Sequence, residues 1–144
     1  MRRDLTVTGT VLIDAGIDKV WNGLTQPEII REYLFGTETL TDWKVGSGII
    51  FQGEFQGQKY RDKGIVREFL PYEKISYLYW SAFSGTEDKP ENYSLVTYLL
   101  EKSGESKTKL TWIMEGFANE KAYEHSSSGM QSFLNSVKDV IENS

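Results

Sequence analysis

Cysteine is absent from this 144-residue chain, which excludes disulfides, zinc–thiolate centres and thiol nucleophiles. Histidine is nearly absent too: His125 stands alone. An imidazole-based metal site is therefore out of reach. No Asp/Glu run has the spacing of a calcium loop either, so neither a metal nor a cofactor is expected. There is no excess of positive charge. Sixteen Lys and Arg face 21 Asp and Glu for a net charge of −5, scattered rather than striped, whereas a nucleic-acid binder needs a basic face to displace phosphate counterions. No apolar run reaches the roughly 20 residues of a membrane span. The opening stretch, MRRDLTVTGTVLID, has two arginines but no apolar signal-peptide core. These absences exclude nucleic acid and membrane as partners and predict a reducing, cytoplasmic location. Gly46-Ser47-Gly48 lacks the Lys-Ser/Thr and following helix of a phosphate loop, and reads as a turn before a strand.

Aromatic residues are abundant: four Trp, eight Tyr and seven Phe. Such rings either fill a core or wall a cavity for a small molecule. Their placement follows from hydrophobic period. Met130, Phe133, Leu134, Val137, Val140 and Ile141 recur every three or four residues, one stripe of a C-terminal helix over Asn119–Asn143 with Asn119 as its cap. Residues 4–14 alternate as a strand. Ile17, Val20, Trp21 and Leu24 mark a short helix. Thr25 and Glu28 have capping-box spacing for a second helix carrying Ile29, Ile30, Tyr33 and Leu34. From Gly36 to residue 118 the period falls to two, with turns at 45–48, 56–57, 70–73 and 103–106 and a charged loop over 84–92. The predicted order is β-α-α-β-β-β-β-β-β-α, a single domain over residues 1–144. A long helix following a run of strands must lie on the sheet, since neither buries its apolar face alone.

Alternation predicts an inner face of Ile49, Phe51, Phe55, Tyr77, Tyr79, Val96, Tyr98, Leu100, Leu110, Trp112 and Met114. It sends Thr97, Glu101, Thr111 and Glu115 to water and leaves Leu78 and Trp80 outside.

Several motifs, in order, resemble the AHSA1-like family (activator of Hsp90 ATPase homologues) of the START/Bet v 1-like SRPBCC superfamily. They are Val20-Trp21-x-x-Leu24-Thr25-x-Pro27-Glu28, Val45-Gly46-x-Gly48, Gly64-x-Val66 with Pro71 and Glu73-Lys74-Ile75, and Thr108-x-Leu110-Thr111 running to Gly116-Phe117. Two positions depart from that pattern: Tyr33 stands where tryptophan is common, and Gly129-Met130 where Gly-Trp is common. The resemblance implies an α+β helix-grip fold, a curved antiparallel sheet wrapped around the C-terminal helix and an elongated cavity. It also implies a family whose members mostly bind apolar or amphipathic molecules, sometimes catalyse cyclisation, and in the chaperone-linked branch serve the stress response.

Catalysis is weakly supported. Ser126, Ser127 and Ser128 follow His125 on one helix, where neighbours point in different directions, so no compact triad with it is expected. Glu54 with Asp62 or Glu68 offers paired acids, but Glu54 alternates outward. The expected function is binding of an apolar or aromatic small molecule by Tyr33, Phe51, Phe55, Tyr79, Tyr98, Trp112, Met130 and Phe133, with Tyr33 at the mouth and His125 and Gly129 at the entrance. Glycine within a helix costs about 1 kcal/mol relative to alanine, so Gly129 signals either close packing, a kink, or room for a ligand. The alternatives are a protein-interaction module acting with an Hsp90-type chaperone, against which the chain shows no second, N-terminal domain, and a cyclase-type enzyme using the same cavity.

Overall fold

The computed structural model describes every residue, Met1–Ser144. Its elements are β1 (Arg2–Ile13), α1 (Ile17–Thr25), α2 (Pro27–Tyr33), β2 (Glu38–Leu40), β3 (Gly48–Phe55), β4 (Gln58–Leu70), β5 (Lys74–Trp80), β6 (Ser94–Lys102), β7 (Thr108–Phe117) and α3 (Glu120–Glu142), with one 3-10 turn at Pro90–Asn92. The order is the one that hydrophobic period predicts. The seven strands form one antiparallel sheet in the order β1-β7-β6-β5-β4-β3-β2. Consecutive hairpins account for five of the pairings; the sixth joins the two ends of the chain, with Val7 opposite Met114 and Ile13 opposite Thr108.

Because its stripe is apolar, α3 must find a partner face, and it rests chiefly on β1 and against α2 and α1. Leu134, Val137 and Ile141 are fully buried there. Gly9 on β1 makes that seat possible: Met130 Sδ and Leu134 occupy the space where a side chain at residue 9 would stand. Asn119 caps α3 as expected, its side chain accepting from the Ala122 N–H at 2.9 Å. At the other end Glu142 accepts from the Asp14 N–H at 2.8 Å and pairs with Lys138, tying the last turn to the end of β1.

A consequence of this seat is that the core divides. One cluster, including Val7, Ile13, Trp21, Leu110, Leu134 and Ile141, lies under α3. A small second one, Ile49, Phe51 and Val66, lies on β3 and β4. Only partly buried side chains, among them Leu34, Tyr77 and Tyr79, pack against both. Gly64 on β4 lets β5 approach closely there: a Cβ at this position would stand 2.6 Å from the Leu78 carbonyl oxygen.

Three expectations need correction. The Thr25–Glu28 capping box does not form; Gln26 is the N-cap of α2, without a side-chain bond. Thr25 instead ends α1, its hydroxyl donating to the Trp21 carbonyl at 2.9 Å, the local bond that competes with capping for Thr. Thr97 faces outward but is buried, because β6 is flanked by strands on both sides and Ser76 and Ile113 stand beside it. Phe55 is on the inner row yet 61% exposed, since β3 ends at that residue.

Candidate functional site

Between the two core clusters lies a cavity of about 630 Å³. Its walls come from alternate residues of neighbouring strands: Phe51 on β3, Tyr77 and Tyr79 on β5, Val96 and Tyr98 on β6, Trp112 and Met114 on β7, with Phe133 of α3 closing one side. The rings support one another edge to face. Phe51 meets Tyr79 at 5.8 Å between centroids and Trp112 meets Phe133 at 5.9 Å, geometries favoured by the aromatic quadrupole. The rim carries three exposed phenylalanines, Phe35, Phe55 and Phe83, at 88%, 61% and 53% exposure.

Polar groups are few. Burial pushes the Tyr98 hydroxyl up to about 12, with neighbouring Tyr77 and Trp112 acting in the lowering direction. Burial likewise drives Tyr77 and Tyr79 well above the usual phenol range, Tyr79 with added repulsion from the charge of Asp62. All three are thus neutral hydroxyls at physiological pH, able to donate or accept. Asp62 is 7% exposed. Its Oδ2 accepts from the Tyr79 hydroxyl at 2.7 Å and its Oδ1 from the Ala82 N–H at 2.8 Å. The sequence reading treats Asp62 only as a partner for Glu54 and misses it as a wall residue. The signal is there in β4: Tyr60, Asp62, Gly64 and Val66 alternate with Arg61, Lys63, Ile65 and Arg67, which puts the longer charges outside and Asp62 within.

The structure brings together Phe51, Tyr79, Tyr98, Trp112 and Phe133 on the walls and Phe55 and His125 at the rim. Two expected residues lie elsewhere. Tyr33 is not at the mouth. It is 3% exposed, its hydroxyl donates to the Gly23 carbonyl at 2.9 Å, and its ring abuts Phe133 at 6.2 Å. It faces only a closed void of about 20 Å³ shared with Phe51, Tyr77 and Tyr98. The reason is that α2 packs on α1, so a ring in its last turn is carried inward. Met130 points to Gly9 on β1 rather than into the cavity. Gly129 packs closely on no other element: outside its chain neighbours and its own helix backbone, no atom lies within 4 Å of where its Cβ would be. It sits one turn from both His125 and Phe133, in the row that faces the cavity. Ser128 donates to the His125 backbone carbonyl at 3.1 Å, so that serine is not paired with the imidazole. No helix is long and apolar enough to cross a membrane.

A curved antiparallel sheet holding one long helix beside a ring-walled hollow is the helix-grip architecture of START/Bet v 1-like domains. The chain belongs to the family described as Activator of Hsp90 ATPase homolog 1-like protein, which it matches over residues 14–142. ChR145 from Cytophaga hutchinsonii is similar over 99% of this chain and 97% of its own, with 36% identity and a TM-score of 0.82. MLL2253 from Mesorhizobium loti shares the fold at 22% identity, covering 96% of this chain and 98% of its own, TM-score 0.76. PFC0360w from Plasmodium falciparum, described as an HSP90 activator, shares it at 19% identity, over 95% of this chain and 96% of its own, TM-score 0.75. No curated protein matches the sequence.

Proposed function

We propose that this protein is a cytoplasmic binder of an apolar or aromatic small molecule, held between the sheet and α3. The observation that carries the reading is the divided core: apolar surface from four strands and Phe133 borders about 630 Å³ of space that no side chain of the protein fills. Volume and lining match small-molecule sites, which are mainly apolar with a few placed polar groups. Phe51, Tyr79, Tyr98, Trp112 and Phe133 grip the guest, Phe55 and His125 border the opening, and Gly129 keeps the helix side of that opening clear. Tyr33 acts from behind, by supporting Phe133. The test is a thermal-shift screen with hydrophobic dyes, fatty acids and aromatic compounds, followed by titration of Trp112 fluorescence against a Trp112→Phe control. A ligand at a hundred times its Kd stabilises the native state by about 2.7 kcal/mol. A screen in which no apolar compound raises the melting temperature defeats the proposal.

A second reading is a partner of an Hsp90-type chaperone. It is favoured by the family description and by the three exposed phenylalanines at the rim, since clustered apolar exposure marks interaction surfaces. Pull-down with Hsp90, repeated with Phe35→Ser and Phe83→Ser, tests it; capture that survives both substitutions removes the rim from consideration. Cyclase-type turnover in the same cavity has His125 as its only imidazole, and any activity found should be measured again in His125→Ala.

A further inference from the structure

We propose that the cavity selects cationic guests: a protonated amine on an apolar or aromatic body, with its nitrogen docked on Asp62. This rests on the cavity-binding reading and narrows it to a ligand class.

Asp62 is directly opposite Phe51 in the β3–β4 ladder, on the inner row of β4, and only 7% exposed. A carboxylate offers about four acceptor positions. Tyr79 and Ala82 occupy two. The protein supplies no cation: Asp62 takes part in none of the chain's ion pairs. Its neighbours in sequence, Arg61 and Lys63, project from the other face, and Lys63 is bound to Asp88 at 2.7 Å. The lining contains no lysine or arginine at all, while its carboxylates are Asp62 and, at the rim, Glu54. Burying a carboxylate among rings is costly unless it is paired and hydrogen-bonded. Two donors hold this one in place, and nothing positive answers it. A guest ammonium completes the set, in a lining whose rings, Phe51 and Tyr79 among them, can add cation–π attraction. A guest carboxylate meets repulsion instead.

The test uses three probes of one shape, 1-naphthylmethylamine, 1-naphthylmethanol and 1-naphthoic acid, titrated calorimetrically at neutral pH into wild-type protein and Asp62→Asn. Wild type should bind the amine at least about tenfold more tightly than the alcohol, with the acid weakest; tenfold corresponds to about 1.4 kcal/mol. Asp62→Asn should bring the amine down to the level of the alcohol while alcohol binding persists, which also shows that the variant is folded. Equal affinities for amine and alcohol in wild type overturn the proposal, whatever the variant does, and leave the cavity reading standing. An amine preference that survives in Asp62→Asn assigns it to another group and overturns it equally. Failure of all three probes to bind wild type overturns the selection, and the broader thermal-shift screen then decides whether the cavity reading falls with it.

Discussion

Replacing Gly129 by leucine separates stability from uptake. Glycine in a helix interior is about 0.8–1.0 kcal/mol less favourable than alanine, and leucine is close to alanine. Because nothing beyond the chain neighbours and the helix's own backbone lies within 4 Å of the added Cβ, the side chain starts into open space and the propensity gain should dominate. The net is about 0.7 kcal/mol, which in a chain of this size raises Tm by about 2–3 °C. The isobutyl group then extends along the row between His125 and Phe133, across the opening between α3 and the rim. Uptake of a neutral probe such as 1-naphthylmethanol should fall at least about tenfold, equivalent to 1.4 kcal/mol. Gly129→Ala is the control: it should share most of the stabilisation while its single methyl leaves the opening passable. Thermal denaturation and calorimetric titration of the same three samples decide the matter. A lower Tm for Gly129→Leu would refute the open-space geometry, and undiminished uptake would refute passage beside Gly129.

Other perturbations address the framework. Gly64→Ala drives a methyl against the Leu78 carbonyl oxygen at 2.6 Å, and backbone cannot rotate aside. A loss of about 1–3 kcal/mol is expected by urea unfolding, and a neutral result would show that β4 and β5 relax freely. Glu142 is held below its ordinary 4.5 by Lys138 first and by the Asp14 N–H second. Its folded form therefore prefers the carboxylate, so its contribution is complete above 4.5 and is lost as pH falls through the lower folded value. Glu142→Gln should accordingly flatten the decline in urea midpoint between about pH 7 and pH 3; an unchanged slope would place the acid sensitivity elsewhere. Tyr98, pushed up to about 12, and Tyr77 and Tyr79, also raised by burial, should resist ionisation near pH 11 while the protein stays folded. Ultraviolet titration of wild type against Tyr98→Phe should then show no difference until the chain unfolds. These tyrosines favour the folded state below the unfolded phenol value of 10 and lose that contribution as pH rises through the folded one.

Local order was legible in the residues. The stripe from Met130 to Ile141 announces α3, and strict alternation over 94–102 and 108–117 assigns Tyr98, Trp112 and their row to the inside. Period depends only on near neighbours, so a linear reading captures it. The same reading places Phe51, Tyr79 and Phe133 correctly, because each stands on a regular element.

Tertiary structure decided the rest, through contacts between distant parts of the chain. That α3 rests on β1 follows from β1 pairing with β7 and from Gly9 giving way to Met130, and this seat draws the helix aside and keeps the hollow open. Tyr33 was carried inward by the packing of α2 on α1, and Phe55 was left at the rim by the end of β3. Asp62 gained its meaning only when β5 brought the Tyr79 hydroxyl to it. Faces are properties of an element, while a cavity is a property of the angle at which elements meet, and that angle is set by pairings no local pattern records.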